Sequence, residues 1–430
     1  MSVTETFAVW AAETPDIRAE GPLGKARDAV MDTIGVIIAG APDDAARAVR
    51  RAVSLWGEGT STVVGQSTRL AAPWAAMANG TAAHALDYDD VSLRGHPSTV
   101  LVPAILAEAE VLGATGRDML VAYVAGYETW AELVRRDVPM YHQKGFHPTG
   151  IFGAVGAAAA CAKLRKLDAN CTAIAIALGA SQASGIMSNF GTMTKPFHAG
   201  KAAHAGIMAA RLAEAGMTAN TDALEHPQGF LSAVSPENNP DLDGDGELGE
   251  DWAIIRHGLS IKKYSACYGT HRAIDAMLDL VGAHPVKPED VRKVSVHFSK
   301  LTSSVLRNRQ PDTGLAAKFS MEFAMASGLI AHRVSLAELS DPFVQRKDVQ
   351  DMMQLVERDL TDETDEANPG SAPWEQVKIE LVSGQVLESE RVTRARGHAE
   401  RPLSDQQLHE KFADCLTSSE SEIPADVLFG

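Results

Sequence analysis

Residues 149–163 read TGIFGAVGAAAACAK, and this stretch decides the fold class. Its glycines, at 150, 153 and 156, sit three apart in an Ala-rich run. On a helix that spacing gathers small residues on one face, where a neighbouring helix can approach closely. A phosphate loop would need the spacing of GxxxxGK[ST], which is missing. Working outward, ARDAVMDTIGVIIAG (26–40) puts Ala29, Val30, Ile34, Ile37 and Ile38 at helical spacing. Leu101, Val102, Ile105 and Leu106 repeat the pattern, as does the run from Ile174 to Leu178. Residues 25–235 therefore read as packed helices. The longest uncharged run, Ala169–Thr194, contains Gln182, Asn189 and several Ser, and reads as a buried helix pair rather than a membrane span.

The character changes after SPENNPDLDGDGELGED (235–251), a polar, turn-rich excursion. VRKVSVHFS (291–299) and VKIELVSGQVLESERV (377–392) alternate like strands, the second with a hairpin turn at Ser383-Gly384-Gln385. Between them FSMEFAMASGLIAHR (319–333) reads as helix, and LHEKFADCL (408–416) as another, capped by Ser404. The expected fold class is mainly α with a smaller α+β domain. A large all-helical domain covers 1–258, the α+β domain covers 259–396, and 397–430 returns to the helical domain.

The 430 residues carry 45% apolar and 22% charged side chains, enough for a large core in two domains. The formal net charge of −17 argues against nucleic acid and anionic membranes as partners. An anionic substrate would need a local cluster of cations set against that field. Cys161, Cys171, Cys267 and Cys415 form no CxxC pair and no disulfide framework. The first residues, MSVTETFAVWAAETPD, lack the basic start and apolar stretch of a signal peptide. These features point to a cytoplasmic protein.

GxGxxG after a strand, GxSxG and HExxH are all missing. Asp241-Leu-Asp243-Gly-Asp245-Gly246 starts like a calcium loop, but its twelfth position is Trp252 in place of Glu, so it reads as a solvated acidic loop. No metal or cofactor signature is present.

Four segments gather ionisable groups beside glycine or proline. The first runs His84-Ala-Leu-Asp87-Tyr88-Asp89-Asp90, then Arg94-Gly95-His96-Pro97-Ser98. Three acids in four residues are costly to bury unpaired, and a helix end capped by Asp89 or Asp90 is the plainer alternative. The second, Lys144-Gly145-Phe146-His147-Pro148-Thr149-Gly150, either sets His147 at the mouth of a helix N-terminus, a ready carboxylate site, or merely packs it at the turn. The third runs from Asn189 through Lys195-Pro196-Phe197-His198 to Lys201. Lys195 ends the uncharged run and needs an anion there, whereas Lys201 reads equally as a surface charge. The fourth is Lys262-Lys263-Tyr264-Ser265-Ala266-Cys267-Tyr268-Gly269-Thr270-His271, near the domain boundary, either a site or a basic turn into a packed helix. Cys267 reads as packing. Lys and Arg hold carboxylates, a near-neutral His moves an α-proton, and cations steady the enolate-like charge. The inventory thus suits elimination, decarboxylation or epimerisation of a polyanion.

Taken in order, LDYDD…GHPS, GFHPTG, TKPFHAGKAAHAG, KKYSACYGTH and AAKFSMEFA (316–324) resemble the MmgE/PrpD family along nearly the whole chain. That family includes 2-methylcitrate dehydratase, cis-aconitate decarboxylase and iminodisuccinate epimerase. The resemblance implies a large helical domain with an α+β lid, a homodimer, a site in the cleft between domains, and no iron–sulfur cluster. It also implies site roles for Asp87, His96, His147 and Lys195, for Lys262 or Lys263, and for His271; Tyr264 joins the substrate contacts. Decarboxylase-like members carry Thr shortly after the Asp-Asp pair, where this chain has Val91. They also carry a Tyr before the KFS motif, whereas TSSVLRNRQPDTGLAAKFS (302–320) has none. Both departures count against cis-aconitate decarboxylation. NFGTMTKP, RGHPS and KK…CY..H look closest to the iminodisuccinate epimerase branch, and Arg307 or Arg309 would either replace lost carboxylate contacts or sit in a solvated loop.

The leading expectation is a cofactor-independent lyase that removes an α-proton from a di- or tricarboxylate with loss of water or CO2. His147 or His96 would be acid or base, Lys195 and Lys262/Lys263 carboxylate ligands, and Asp87 a histidine-orienting or proton-transfer group. An amino- or iminodicarboxylate epimerase is the alternative, and a non-catalytic helical binding protein the remote one.

Overall fold

The computed structural model describes residues 1–13, 17, 20–137, 141–243, 246–249, 251–366 and 370–419. Two compact units emerge among the described residues, one formed by 1–261 with Ser419 and the other by 262–418. The divide thus falls three residues later than the sequence suggested. Residues 397–418 stay with the second unit instead of returning to the first, and 420–430 lie outside the described residues.

The first unit is built on α1 (Val3–Glu13), α2 (Glu20–Gly40), α3 (Asp44–Val53), α4 (Ala72–Ala85), α5 (Ser98–Leu112), α6 (Gly116–Arg135), α7 (Pro148–Leu164), α8 (Ala169–Ser181) and α9 (Thr194–Glu214). It is not all-helical. A short antiparallel pair, β1 (Glu58–Thr62) with β2 (Arg69–Leu70), joins α3 to α4. The long uncharged run forms one α-helix, α8, instead of two, because residues 182–193 leave α-helical geometry, keeping a single 3-10 turn at Met187–Asn189 before α9 starts.

Helix α7 is the centre of this unit, packed by α5, α6, α8 and α9. Its alanines from 157 to 160 are fully buried. The glycine stripe works as expected from its small size. A Cβ at Gly126 of α6 would lie 2.8 Å from the Gly156 carbonyl, and one at Gly156 would lie 3.0 Å from the Gly126 carbonyl. The two backbones touch only because neither residue has a side chain. Charge is buried here in matched form. Glu108 of α5 is fully buried and pairs with Arg211 of α9 at 2.8 Å and with Arg165 at the end of α7. Helix starts are secured locally, with Thr115 and Asp118 forming a capping box for α6 and Asp168 capping α8 at Cys171 N–H.

The second unit holds a four-stranded sheet ordered β4-β3-β5-β6, with β3 Val291–Ser299, β4 Val356–Thr361, β5 Gln376–Leu381 and β6 Val386–Glu388. The hairpin β5–β6 is antiparallel, its turn centred on Gly384 in the left-handed region (φ 86°). Strand β4 runs parallel to β3, and the crossover between them carries the helix Met321–Ala331. That helix and His271–Ala283 cover the sheet around Val294, Val296, Phe298, Val377 and Ile379. The last helix, Asp405–Ser418, begins as expected at Ser404. The Ser404 hydroxyl accepts from Gln407 N–H at 3.2 Å and the Gln407 side chain accepts from Ser404 N–H at 3.0 Å. No helix among the described residues is long and apolar enough to cross a membrane.

Candidate active site

Three of the four ionisable segments meet in the first unit. Helix α4 ends at Ala85, carrying His84 in its last turn. The chain then reverses through Asp87, held at φ 53°, and through Leu93 and Arg94 at φ 48° and 62°. Three non-glycine residues in the left-handed region within eight positions mark a strained turn, which the surroundings must enforce. They do so with buried hydrogen bonds. Trp130 Nε1 donates to the Leu93 carbonyl at 3.2 Å, and the Ser92 hydroxyl donates to the Gly258 carbonyl at 2.8 Å beside the Tyr127 hydroxyl at 2.6 Å.

The acids of this turn are buried, each with its own partner. Asp87 accepts from Lys195 Nζ at 2.7 Å. Asp89, fully buried, lies 3.0 Å from Nδ1 of His84 and 2.5 Å from Nδ1 of His96. Asp90 accepts from the Ser98 hydroxyl at 2.6 Å as α5 begins. Asp90 thus meets a hydroxyl at the start of α5 without capping it, Asp89 holds two histidines of its own turn, and Asp87 reaches across to α9.

His147 sits at the N-cap of α7, 2% exposed, with its N–H donated to the Gly185 carbonyl at 3.0 Å. Its Nδ1 lies 3.1 Å from Nδ1 of His198 on α9, so one ring donates to the other. Gly185, at φ 135°, wedges between them; a Cβ there would come within 3.2 Å of the His198 ring. The His147 ring lies 5.8 Å from that of His84, nearly parallel, and His84 lies 4.4 Å from His96. Phe190 closes the other side of His147 edge-on at 4.8 Å, and Lys195 Nζ lies 5.7 Å from the same phenyl ring. The His96 segment is tied to α7 by its own N–H, which donates to the Thr149 hydroxyl at 3.2 Å. One wall therefore carries His96, Asp89, His84, His147, His198, Lys195 and Asp87.

Burial governs the charge states. It pushes the His84 imidazole down to about 4, with Lys195 and His96 adding to the push while Asp89 opposes it. Burial likewise holds His147 well below the usual histidine range and lowers His198. For Asp89 burial acts upward, but the His84 and His96 rings outweigh it and hold the carboxyl well below the usual range. The wall thus sets the neutral imidazoles of His84, His147 and His198 beside an ionised carboxylate.

His84, Asp89 and His96 place three donor atoms within 4.8 Å of one another, a composition that can hold a divalent ion. Their spacing is that of hydrogen bonds, since a 2.5 Å nitrogen–oxygen separation is shorter than two ligands around one ion adopt.

The fourth segment behaves differently. Tyr264, expected among the substrate contacts, is 3% exposed in the second unit's core, and its hydroxyl donates to Asp275 at 2.6 Å. Burial and Asp275 push its phenol well up. His271 is fully buried at the start of its helix, with Nε2 at 3.2 Å from the Ala266 carbonyl and its ring against Tyr264 and Tyr268. Lys262 is buried and Lys263 half-buried at the edge of this unit. Cys267 packs on the core as expected. Arg307 and Arg309 are exposed. Val91 exchanges two backbone hydrogen bonds with Ser260 and offers no hydroxyl. Lys201 is half-buried and donates to the Gln182 carbonyl, so it is not a free surface charge. In the acidic loop, Arg136 donates to the Asp243 carbonyl at 3.0 Å and lies 3.6 Å from the Asp241 carboxylate. A cation there would meet an arginine; Gly244 and Asp245 of that loop lie outside the described residues.

Sequence reasoning quoted His84, Asp89 and His198 but gave them no role. His198 was the most legible, since it follows Lys195 by three residues and so shares its helix face.

Comparison with known proteins adds an independent line. The MmgE/PrpD N-terminal domain matches residues 6–243 and the MmgE/PrpD C-terminal domain matches residues 264–427. Cis-aconitate decarboxylase of Mus musculus is 28% identical, over 96% of this chain and 86% of that protein. The Homo sapiens enzyme of the same name is 27% identical, over 96% and 87%. That of Aspergillus terreus is 26% identical, over 95% and 88%. The chain belongs to the MmgE/PrpD family.

Proposed function

We propose that this MmgE/PrpD-family enzyme is a lyase that moves a proton at the carbon next to a carboxylate of a small di- or tricarboxylate, with loss of CO2 or water. The observation that carries the reading is the wall of neutral, buried imidazoles beside the Lys195–Asp87 pair. An imidazole kept uncharged can take a proton from carbon, and its protonated form can return one. Lys195 supplies the cation for a substrate carboxylate, and Asp87 fixes where that ammonium points. If CO2 leaves, the electron pair stays on the α-carbon as an enolate-like charge, which the ammonium steadies and an imidazolium quenches. If water leaves, the imidazole takes the α-proton and a second acid protonates the departing hydroxyl. His96 and His147 are the two groups we assign to proton transfer, with Lys262 and Lys263 as further carboxylate ligands. Neither route calls for a cofactor, and we take the enzyme to be a cytoplasmic homodimer.

The relatives named above are cis-aconitate decarboxylases, which supports a lyase acting on a tricarboxylate. Val91, without a hydroxyl, and the lack of a Tyr in 302–320 are the two departures from decarboxylase-like members that keep dehydration beside decarboxylation. Proton NMR in heavy water with cis-aconitate, 2-methylcitrate, citrate and iminodisuccinate tests the reading. Lost carboxyl carbon or a new vinyl proton supports the lyase. Exchange of an α-proton with the skeleton intact identifies an epimerase instead. Silence across the panel removes the substrate class.

A further inference from the structure

We propose that Asp89 is a positioning residue whose single buried carboxylate holds both His84 and His96 with the proton on Nδ1, leaving Nε2 of His96 free for proton transfer. The role assigned to His96 rests on the function proposed above; the tautomer does not.

The geometry fixes the tautomer twice over. Nδ1 of His96 lies 2.5 Å from an Asp89 carboxylate oxygen and 2.9 Å from the Asp90 backbone carbonyl. Both are acceptors, and only a nitrogen bearing hydrogen can sit between two acceptors. Nδ1 of His84 lies 3.0 and 3.1 Å from the two oxygens of the same carboxylate, so it too donates. Asp89 is fully buried, and these two N–H groups are its side-chain partners. One carboxylate therefore steers two rings that lie 4.4 Å apart. Nε2 of His84 is buried without a hydrogen-bond partner, as expected of a ring whose orientation is dictated from its Nδ1 side. His96, by contrast, keeps 15% of its side chain exposed and can meet a ligand. When its Nε2 takes a proton, the resulting imidazolium already faces an ionised oxygen.

The substitution Asp89→Asn isolates the effect. An amide offers one acceptor and one N–H2 where the carboxylate offered two acceptors; His96 keeps the Asp90 carbonyl as an acceptor for its Nδ1–H, so His84 is the ring that must move its proton to Nε2. Nitrogen-15 NMR of histidine-labelled protein reads the tautomers directly. Wild type should show Nδ1–H on His84 and His96, and the Asn variant should show His84 switched. With turnover established, kcat should fall about 100- to 10,000-fold, because the imidazolium formed on His96 then faces a neutral amide in place of an ionised oxygen. KM should stay within about threefold, because no substrate contact is removed.

A bare Nδ1 on His96 in wild type would overturn the proposal, and that measurement stands even if the variant does not fold. So would full kcat and an unchanged pH profile in a folded Asn variant. Stoichiometric divalent metal in the purified protein, with both Nδ1 protons gone, would also overturn it and make the three residues a metal cage. Failure of the substrate panel with the Nδ1 protons in place would remove the function and leave the tautomer assignment intact.

Discussion

The turn between α4 and α5 and the segment 262–271 look alike in sequence, yet the fold uses them in opposite ways. Both crowd histidine, charged residues and tyrosine beside glycine. In the first, Asp87 reaches Lys195 and the His96 N–H reaches Thr149 far along the chain, while Asp89 faces His84 and His96 within the turn. In the second, Tyr264 reaches Asp275 eleven residues on, and His271 reaches the Ala266 carbonyl five residues back. The contacts of the first region hold titratable groups face to face; those of the second secure a helix start and a core. A histidine facing a carboxylate is set up to change protonation. One facing a backbone carbonyl is set up to stay as it is.

The largest expected effect comes from the first region. His147→Asn removes a buried neutral imidazole and leaves a polar group of similar reach toward His198. We expect kcat to fall by about 100- to 10,000-fold, the usual worth of a general acid or base, with the thermal midpoint little changed. If kcat holds while stability collapses, His147 is a packing residue and the contrast between the regions disappears.

Acid should expose the same contrast in stability. His84, His142 and His204 are each lowered to about 4 by burial, and His147 and His198 are lowered as well. A histidine in the unfolded chain titrates at about 6.5. Below that pH the unfolded state binds protons the folded state refuses, so stability falls as pH drops from about 6.5 through about 4. His84 alone accounts for on the order of 3 kcal/mol by pH 4. Urea denaturation across that range measures the slope, and His84→Gln should flatten it. A curve that stays level from pH 7 to 4 would mean that these imidazoles take up protons in the folded protein as they do in the unfolded chain.

Tyr264→Phe comes next in size. It strips the hydroxyl from Asp275, which still receives the Arg396 N–H at 2.6 Å and its guanidinium at 3.1 Å. The expected cost is about 1 kcal/mol of stability with kcat and KM unchanged. A tenfold rise in KM at unchanged stability would restore Tyr264 to the substrate contacts.

The fold was legible where local chemistry decides it. The α7 glycines, the Ser404 cap, β3 and the β5–β6 hairpin all declare themselves in a few neighbouring residues. Strand β4 did not, because VERDLT lies at a sheet edge with Glu357, Asp359 and Leu360 exposed, and so lacks an apolar face. The β1–β2 pair was missed since GTST and Arg69-Leu70 carry too few apolar residues to alternate. The site's segments were visible, but not their pairings. Asp87 meets Lys195 across 108 positions, and nothing in the spacing says which of three acids does so. Tyr264 was misread for the converse reason. A tyrosine beside two lysines looks like a ligand contact until the core that swallows it is known.

The smallest effect tests the remaining claim on the second region, that Arg307 or Arg309 stands in for the missing tyrosine of 302–320. Both are exposed and neither forms an ion pair among the described residues, so Arg309→Ala should change stability by less than about 0.5 kcal/mol. On the solvated-loop reading KM should move less than about threefold, since an arginine that binds a carboxylate contributes roughly 1.5–3 kcal/mol through its charged hydrogen bonds. A tenfold rise in KM for a tricarboxylate with kcat preserved would place that loop among the carboxylate ligands. The second region would then contribute to binding through an exposed arginine and to stability through its buried tyrosine, and the contrast would run between residues rather than between regions.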